Sequence, residues 1–424
     1  MKDLLQQFTA LRFGIFIHYG LYSIPGGIWK VKAQGRNAYA EWIKYQALWP
    51  DGGPIPDEEY DALANEFTAE EFDPAAWARE IRNAGAGYVV ITAKHHDGFA
   101  MYDTSVSSYN VVRKTPFGRD LIGEFKKACD HEGILFGAYY SHWLDWHEAG
   151  GGKPHWPAIP GDPEIVQPSQ QAYEEYFSGK CLPQIRELLD NYGIRLFWLD
   201  CWAKSPLLTP ERLERLMDLI HSRGGIVNSR IGVTWNHPGG NNAGIDYLSM
   251  PDNTFPAESI SRPWETSGTF NESWGYSKLD FHWKSVRELL CNLISNASKN
   301  GNYQLNIGPL PNGAIPGASI RRLREVGAWL AVNGEAVYGT GTSGLPEPEW
   351  GRITRGKDGS LYCHLMTPPD DKRIVIAGME QKPHSAVHLE SGEAVPFSWN
   401  NGQLCLELPP EASLIDLPVI KVTR

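Results

Sequence analysis

Short runs of bulky apolar residues recur along this chain, separated by stretches of helical periodicity, and most runs end in a polar or charged side chain. Arg12-Phe13-Gly14-Ile15-Phe16-Ile17-His18-Tyr19-Gly20 reads as a first buried strand with His18 at its exit. A long insertion to about residue 72 carries Tyr39-Ala40-Glu41-Trp42, and a long strand-to-helix connection on a barrel usually belongs to the site. Asp73-Pro74 opens a helix, with an Asp cap and Pro at the first position, that ends at Ala84-Gly85. Gly87 to Lys94 is a second buried strand and discharges into His95-His96-Asp97. A helix from about Asp120 to His131 leads to a third strand, Ile134 to Ser141, which contains Tyr139. A Gly- and Pro-rich loop runs from Glu148 to Gln170, and a long helix from about Gln171 to Asn191 follows it.

The next run is the one the others surround. Ile194, Leu196, Phe197, Trp198 and Leu199 are interrupted only by Arg195, as in a strand buried on both faces, and the run stops at Asp200. An Asp there is either a helix N-cap or a catalytic group held at the carboxyl end of a barrel strand. Thr209-Pro210 is the better cap for the following helix, which favours the second reading. Gly224 to Arg230 is a further strand ending in a cation, and Gly244 to Ser249 begins an acidic, Pro-studded segment holding Asp252, Glu258, Glu265 and Glu272. Phe281 to Ser298 reads as an amphipathic helix, Tyr303 to Ile307 as a closing strand, and Ile315 to Asn333 as a final helix.

Strand followed by helix, about eight times over, predicts the α/β class and a (β/α)8-like barrel over residues 1–343. Helical patterning then stops. Short alternating segments such as Ser360 to Leu365, Arg373 to Ala377 and Gln403 to Leu408 predict a small C-terminal β-sandwich over 344–424.

Charge narrows the partners. A net charge of -11 and a pI near 5.7 leave no basic surface for nucleic acid or an anionic membrane, so a small neutral ligand is expected. The six Cys show no metal-ligand spacing and read as reduced. Met1 to Phe8 lacks a signal-peptide pattern and no window approaches 18 apolar residues, so the expected location is cytoplasmic unless a leader has been removed. The Trp-rich insertions could meet a second copy, which leaves a homo-oligomer open.

Asp200, an acid within 246–272, His18, His95, His96, Tyr139, Trp198 and Arg230 collect at strand exits. Adjacent histidines on an extended chain point to opposite sides, so His95 and His96 suit hydrogen bonds to several hydroxyls better than one zinc ion, and no metal or cofactor is expected. Two carboxyl groups flanking an anomeric carbon, one ionised and one protonated, are what glycosidic cleavage needs.

The motifs Phe13 to Gly20, Tyr39 to Trp42, Lys94 to Phe99, Gly137 to Ser141, Trp198-Leu199-Asp200, Asn228-Ser229-Arg230, Ser273 to Tyr276 and Lys299 to Asn302 together resemble the family 29 α-L-fucosidases. The resemblance implies a retaining exo-α-L-fucosidase acting on fucosylated oligosaccharides or glycoconjugates, with Asp200 as nucleophile. It implies sugar contacts from His18, Glu41, Trp42, His95, His96, Tyr139, Trp198 and Arg230, and an apolar wall for the C5 methyl from Phe16, Tyr39 and Trp274. Where the family has a Pro-Glu-Asn-like segment, this chain has Pro251-Asp252-Asn253, so Asp252 is the candidate acid/base and Glu258, on the same loop, the alternative. A sister α-L-glycosidase such as an α-L-galactosidase, or a sugar-binding protein with impaired chemistry, are the competing readings.

Overall fold

The computed structural model describes residues 1–424 except 36–38, 49–52, 156–163, 204, 233–243, 368, 409–416 and 424. Eight parallel strands form one sheet: β1 (Phe13–Ile17), β2 (Tyr88–Lys94), β3 (Leu135–Tyr140), β4 (Leu196–Leu199), β5 (Ile226–Val227), β6 (Leu248–Ser249), β7 (Trp264–Thr269) and β8 (Gly301–Ile307). Their order is β6-β7-β8-β1-β2-β3-β4-β5, and a parallel bridge between Asn228 and Tyr247 joins the two ends into a closed barrel.

Alternation along the strands divides their side chains between two cores. Phe13, Ile15, Ile17, Val89, Ile91, Phe197 and Leu199 belong to the layer shared with the helices, while Phe16, Tyr88, Val90, Tyr139, Leu196, Trp198 and Ile226 fill the lumen. Gly14 is required by this filling, since a Cβ there would lie 2.3 Å from the ring of Tyr88. The N-terminal helix Lys2–Leu11 closes the floor: Phe8 meets the rings of Tyr88 and Tyr247 at 5.0 and 4.8 Å, and its carbonyl accepts from Asn302 Nδ2 at 2.8 Å.

Helices follow the expected caps. Asp73 accepts from the Ala76 amide, Asp120 from Gly123 and Thr209 from Arg212, opening Pro74–Asn83, Leu121–His131 and Pro210–His221. Two departures concern the second half of the barrel. The acidic segment contains β7, Trp-Glu-Thr-Ser-Gly-Thr, whose small polar residues gave no apolar run, and among the described residues no α-helix separates β5, β6 and β7. The helix expected from Phe281 begins instead at Val286, where the Ser285 hydroxyl accepts from the Glu288 amide. The long helix expected from Gln171 runs as Gln170–Tyr176 and Leu182–Asp190, with a π turn at Phe177–Cys181 between them, because Pro183 would clash with the residue 179 carbonyl in a regular α-helix.

Beyond residue 340 two antiparallel sheets, of five and three strands, pack Ile353, Leu361, Cys363, Ile374, Leu404, Leu406 and Ile420 between them as the expected C-terminal sandwich. It rests on the barrel, where Trp329 Nε1 donates to the Leu417 carbonyl at 3.2 Å. Among the described residues no helix is long and apolar enough to cross a membrane.

A buried ion cluster fixes the barrel mouth. Lys94, the last residue of β2, donates to Asp145 Oδ2 at 2.9 Å, and Lys180 in the π turn reaches the same oxygen at 3.0 Å. Asp145 also accepts the amides of His147 and Glu148, and the two cations hold its carboxyl well below the usual range despite burial. This ties the 141–152 loop to the strand that carries His95 and His96. Replacing Lys94 by Met removes one member of a fully buried pair, and should lower unfolding free energy by about 3–5 kcal/mol in urea denaturation.

Candidate active site

The side chains at the barrel's carboxyl end converge on Asp200, the residue immediately after β4. Tyr139 of β3 donates its hydroxyl proton to Asp200 Oδ2 at 2.7 Å, and His96 Nε2 lies 3.5 Å from the same oxygen. Oδ1 accepts no hydrogen bond among the described residues, and Arg230 Nε stands 3.4 Å from it. Asp200 is therefore not an N-cap, and Thr209 serves the next helix instead.

Arg230 sits in a tight turn, Ser229–Ile231, just past β5. Its Nη1 donates to Asp252 Oδ1 at 2.9 Å, and its guanidinium lies 4.8 Å over the ring of Trp198. Burial alone would loosen the Arg230 proton, but Asp200 and Asp252 beside it hold it on. Asp252 lies three residues beyond β6, its side chain about one-third exposed (32%). Asn253 pins this loop to β7: in left-handed conformation (φ 52°), it donates its amide to the Ser267 carbonyl and accepts the Thr269 amide on Oδ1, both at 3.0 Å. Burial raises the Asp252 carboxyl pKa, the charge of Asp200 raises it further, and Arg230 opposes both.

The three histidines are buried, and burial keeps their imidazoles neutral, with His18 pushed down to about 3 and His95 and His96 lowered well below the usual value. The hydrogen-bond network assigns two tautomers. Ser141 spends its proton on the Leu144 carbonyl and so accepts from His96 Nδ1 at 2.6 Å. Asn306 donates Nδ2 to the Trp274 carbonyl and accepts from His18 Nδ1 at 2.6 Å. In both rings Nε2 is left as an acceptor for a hydroxyl proton. His95 stacks on Tyr139, with ring centres 5.1 Å apart, and Tyr139 stacks on Trp198 at 5.5 Å.

Glu41 and Trp42 come from a short turn, Ala40–Trp42, in the long insertion after β1. Glu41 Oε2 accepts the Gly275 amide at 2.8 Å, and burial drives its pKa up to about 8, with Asp252 and Asp200 adding to the rise. Trp42 packs 5.1 Å from His96. Phe16 and Trp274 adjoin at 6.1 Å, and Phe16 also touches His18 at 4.4 Å and Trp198 at 5.0 Å. Tyr39 packs, partly buried, against the cluster that contains Phe16 and Trp274, and burial, together with Asp252 and Glu41, raises its phenol to about 12.

Some expected positions lie elsewhere. Asp97 turns away from the histidines and accepts from the Tyr60 hydroxyl and the Phe99 amide. Glu258 is exposed on a cavity of about 350 Å³ with Lys299 and Arg352, at the end of the barrel where β8 begins. The loop carrying both acids has by then run back from the mouth to the start of β7, so Glu258 is set apart from Asp200. Glu272 is at the surface, where the neighbouring Asp280 braces the loop by accepting the Glu272 and Ser273 amides. Glu265 is not at the rim but in the lumen, accepting from Trp198 Nε1 at 2.7 Å and Ser249 Oγ at 2.9 Å, with burial raising it to about 7. Ser141 and Asn306 are orienting residues that sequence reading missed, while Glu265, named there as one acid of the segment after Gly244, orients Trp198 from the lumen. The available signal was a polar side chain inside or just beyond a strand that is otherwise buried.

The sequence model of the family described as Alpha-L-fucosidase matches residues 1–335. The chain is 28% identical over 395 residues to an Alpha-L-fucosidase of Dictyostelium discoideum, covering 87% of this chain and 79% of that one. Its fold matches the crystal structure of an alpha-L-fucosidase from Vibrio sp. with TM-score 0.86 and 31% identity, covering 100% of this chain and 73% of that one. It matches a GH29 alpha-L-fucosidase of Bacteroides thetaiotaomicron, trapped as a covalent intermediate with 2-fluoro-fucosyl fluoride, with TM-score 0.85 and 26% identity over 99% and 95% of the two chains.

Because Glu41 binds its proton more tightly when folded than its ordinary value of 4.5, it costs stability progressively as pH rises from 4.5 towards about 8. Glu41→Gln should therefore gain thermal stability relative to the parent across that window. The difference between their melting temperatures, followed from pH 5 to pH 8, should grow with pH.

Proposed function

The chain belongs to the α-L-fucosidase family, and from that premise we propose how this site hydrolyses terminal α-L-fucosides with retention. Asp200 Oδ1, which carries no hydrogen bond, attacks the anomeric carbon while Tyr139 holds Oδ2 and fixes the carboxylate plane. The bond from C1 to the leaving oxygen breaks with its electron pair going to that oxygen, which takes the proton of Asp252. A fucosyl ester of Asp200 and a free alcohol result. Water then gives a proton to the Asp252 carboxylate and bonds to C1, the ester bond returns its pair to Asp200, and L-fucose leaves in its original configuration.

The observation that carries this reading is the contact of one guanidinium with both carboxylates, 3.4 Å from Asp200 and 2.9 Å from Asp252. Before attack, the charge of Asp200 helps keep the proton on Asp252. Once Asp200 is an ester that charge is gone, Arg230 is left facing Asp252 alone, and Asp252 loses its proton more readily, which suits the second step. The trapped covalent intermediate of the Bacteroides thetaiotaomicron enzyme supports the two-step course.

Neutral His18 and His96 offer Nε2 to ring hydroxyls, and protonated Glu41 offers one O–H. Phe16, Tyr39 and Trp274 form the apolar surface for the C5 methyl. Such a wall favours fucose over the C6-hydroxylated L-galactose by only about 10²-fold, since it does not punish an added hydroxyl strongly.

Asp200→Ala should lower kcat on an aryl α-L-fucoside by at least about three orders of magnitude, with the melting temperature little changed. Unchanged turnover would remove the assignment. Asp252→Asn should cost about 10²–10⁴-fold on a fucosyl oligosaccharide and far less on a dinitrophenyl fucoside, whose leaving group needs little protonation. Equal losses on both would move the acid role to another residue.

A further inference from the structure

A second group of aromatic rings stands beside the fucose pocket without forming part of it. Trp202, two residues beyond Asp200, packs against Trp42 at 5.7 Å, His96 at 5.6 Å and Trp143 at 5.1 Å. Trp143 and Trp146 of this group are fully buried, as core residues should be, whereas Trp202 remains partly exposed at the mouth. Two of these neighbours, Trp42 and His96, bound the fucose pocket, and His96 itself stands 3.5 Å from Asp200. Trp202 thus lies just outside the ring of residues that would hold the fucosyl unit.

Its backbone is braced on both sides. The Cys201 amide donates to the Arg230 carbonyl at 2.7 Å, and Cys201 Sγ donates to the Ala203 carbonyl at 3.0 Å. Farther along, Ser205 Oγ accepts the Leu207 amide and donates to Gln167 of the loop after β3. Burying Trp143 behind the indole fixes its tilt. A partly exposed indole held this firmly at a site mouth offers area to a flat ligand at little ordering cost.

We infer that Trp202 is the platform for the group to which fucose is attached, stacking the CH face of a pyranose or the ring of an aryl aglycone. This rests on the fucosidase reading above and names the part of the substrate that the fucose pocket leaves unrecognised. Trp202 would act in binding the leaving group, not on the reacting atoms, so its contribution should appear only with substrates that have a ring on that side. In α-L-fucosyl fluoride the leaving group is a single atom and reaches no platform.

The test compares Trp202→Ala and Trp202→Phe with the parent enzyme on a fucosyl disaccharide, an aryl fucoside and α-L-fucosyl fluoride, together with the inhibition constant of L-fucose. The expected result for Trp202→Ala is a fall of about tenfold in the ratio of kcat/KM for the disaccharide to that for the fluoride, with the aryl fucoside following the disaccharide. The L-fucose constant should move with the fluoride, and Trp202→Phe should restore most of the ratio. An unchanged ratio, whether all three substrates are slowed equally or none is slowed, overturns the platform and leaves Trp202 a packing residue. A parent enzyme that turns over neither fluoride nor aryl fucoside would instead overturn the fucosidase reading itself.

Discussion

One buried guanidinium shared by two acids organises the mouth of this barrel. Arg230 approaches Asp200 through Nε and Asp252 through Nη1 and lies across the indole of Trp198. Two carboxylates facing one another across an aromatic-walled cleft resist both being charged without it, and Asp252, raised by burial and by the charge of Asp200, is the one placed to keep a proton. Burial keeps the histidines neutral, and for His18 and His96 the charge of this cation adds to that effect. A cleft with one fixed cation and neutral imidazoles can stabilise positive charge developing on a sugar ring mainly through Asp200.

The groups around that cation are held from below. Glu265 in the lumen grips the Trp198 indole and Ser249, Asn306 orients His18 and holds the Trp274 carbonyl, and Ser141 orients His96. Asp200, Tyr139, His18 and Trp198 thus sit on or directly beyond strands whose positions are set by two-sided packing. Asp252 is the exception, carried by a loop, and Asn253 compensates by stitching that loop to β7 through both its amide and its side chain.

Much of this was readable in the order of residues because the first half of the barrel obeys simple patterning. Runs such as Tyr88 to Lys94 and Leu196 to Leu199 are apolar on both faces, so their ends stand out, and Asp73, Asp120 and Thr209 announce the helices between them. The second half is less legible for a physical reason. In β7 the lumen-facing partners are polar, with Ser267 donating to Gln304 of β8, so Trp264 to Thr269 carries no hydrophobic signature although every residue of it is buried. The same cause hid Glu265, which looks like one more acid in an acidic loop until the strand that buries it is known. Glu258 and Asp97 illustrate the converse: closeness in sequence to a functional residue says nothing about which way a loop then turns.

The π turn at Phe177–Cys181 fits one extra residue into the helical path and brings Lys180 onto the carboxylate that anchors Lys94. Deleting a single residue such as Gly179 would leave Pro183 still facing a carbonyl four residues before it, so the coil could not close into a regular helix, and the ammonium of Lys180 would be drawn off its partner. The fold therefore treats this irregular turn as a counted spacer: the chain's length through it, more than the identity of its small residues, keeps Lys180 on the carboxylate that also holds the strand delivering the two histidines.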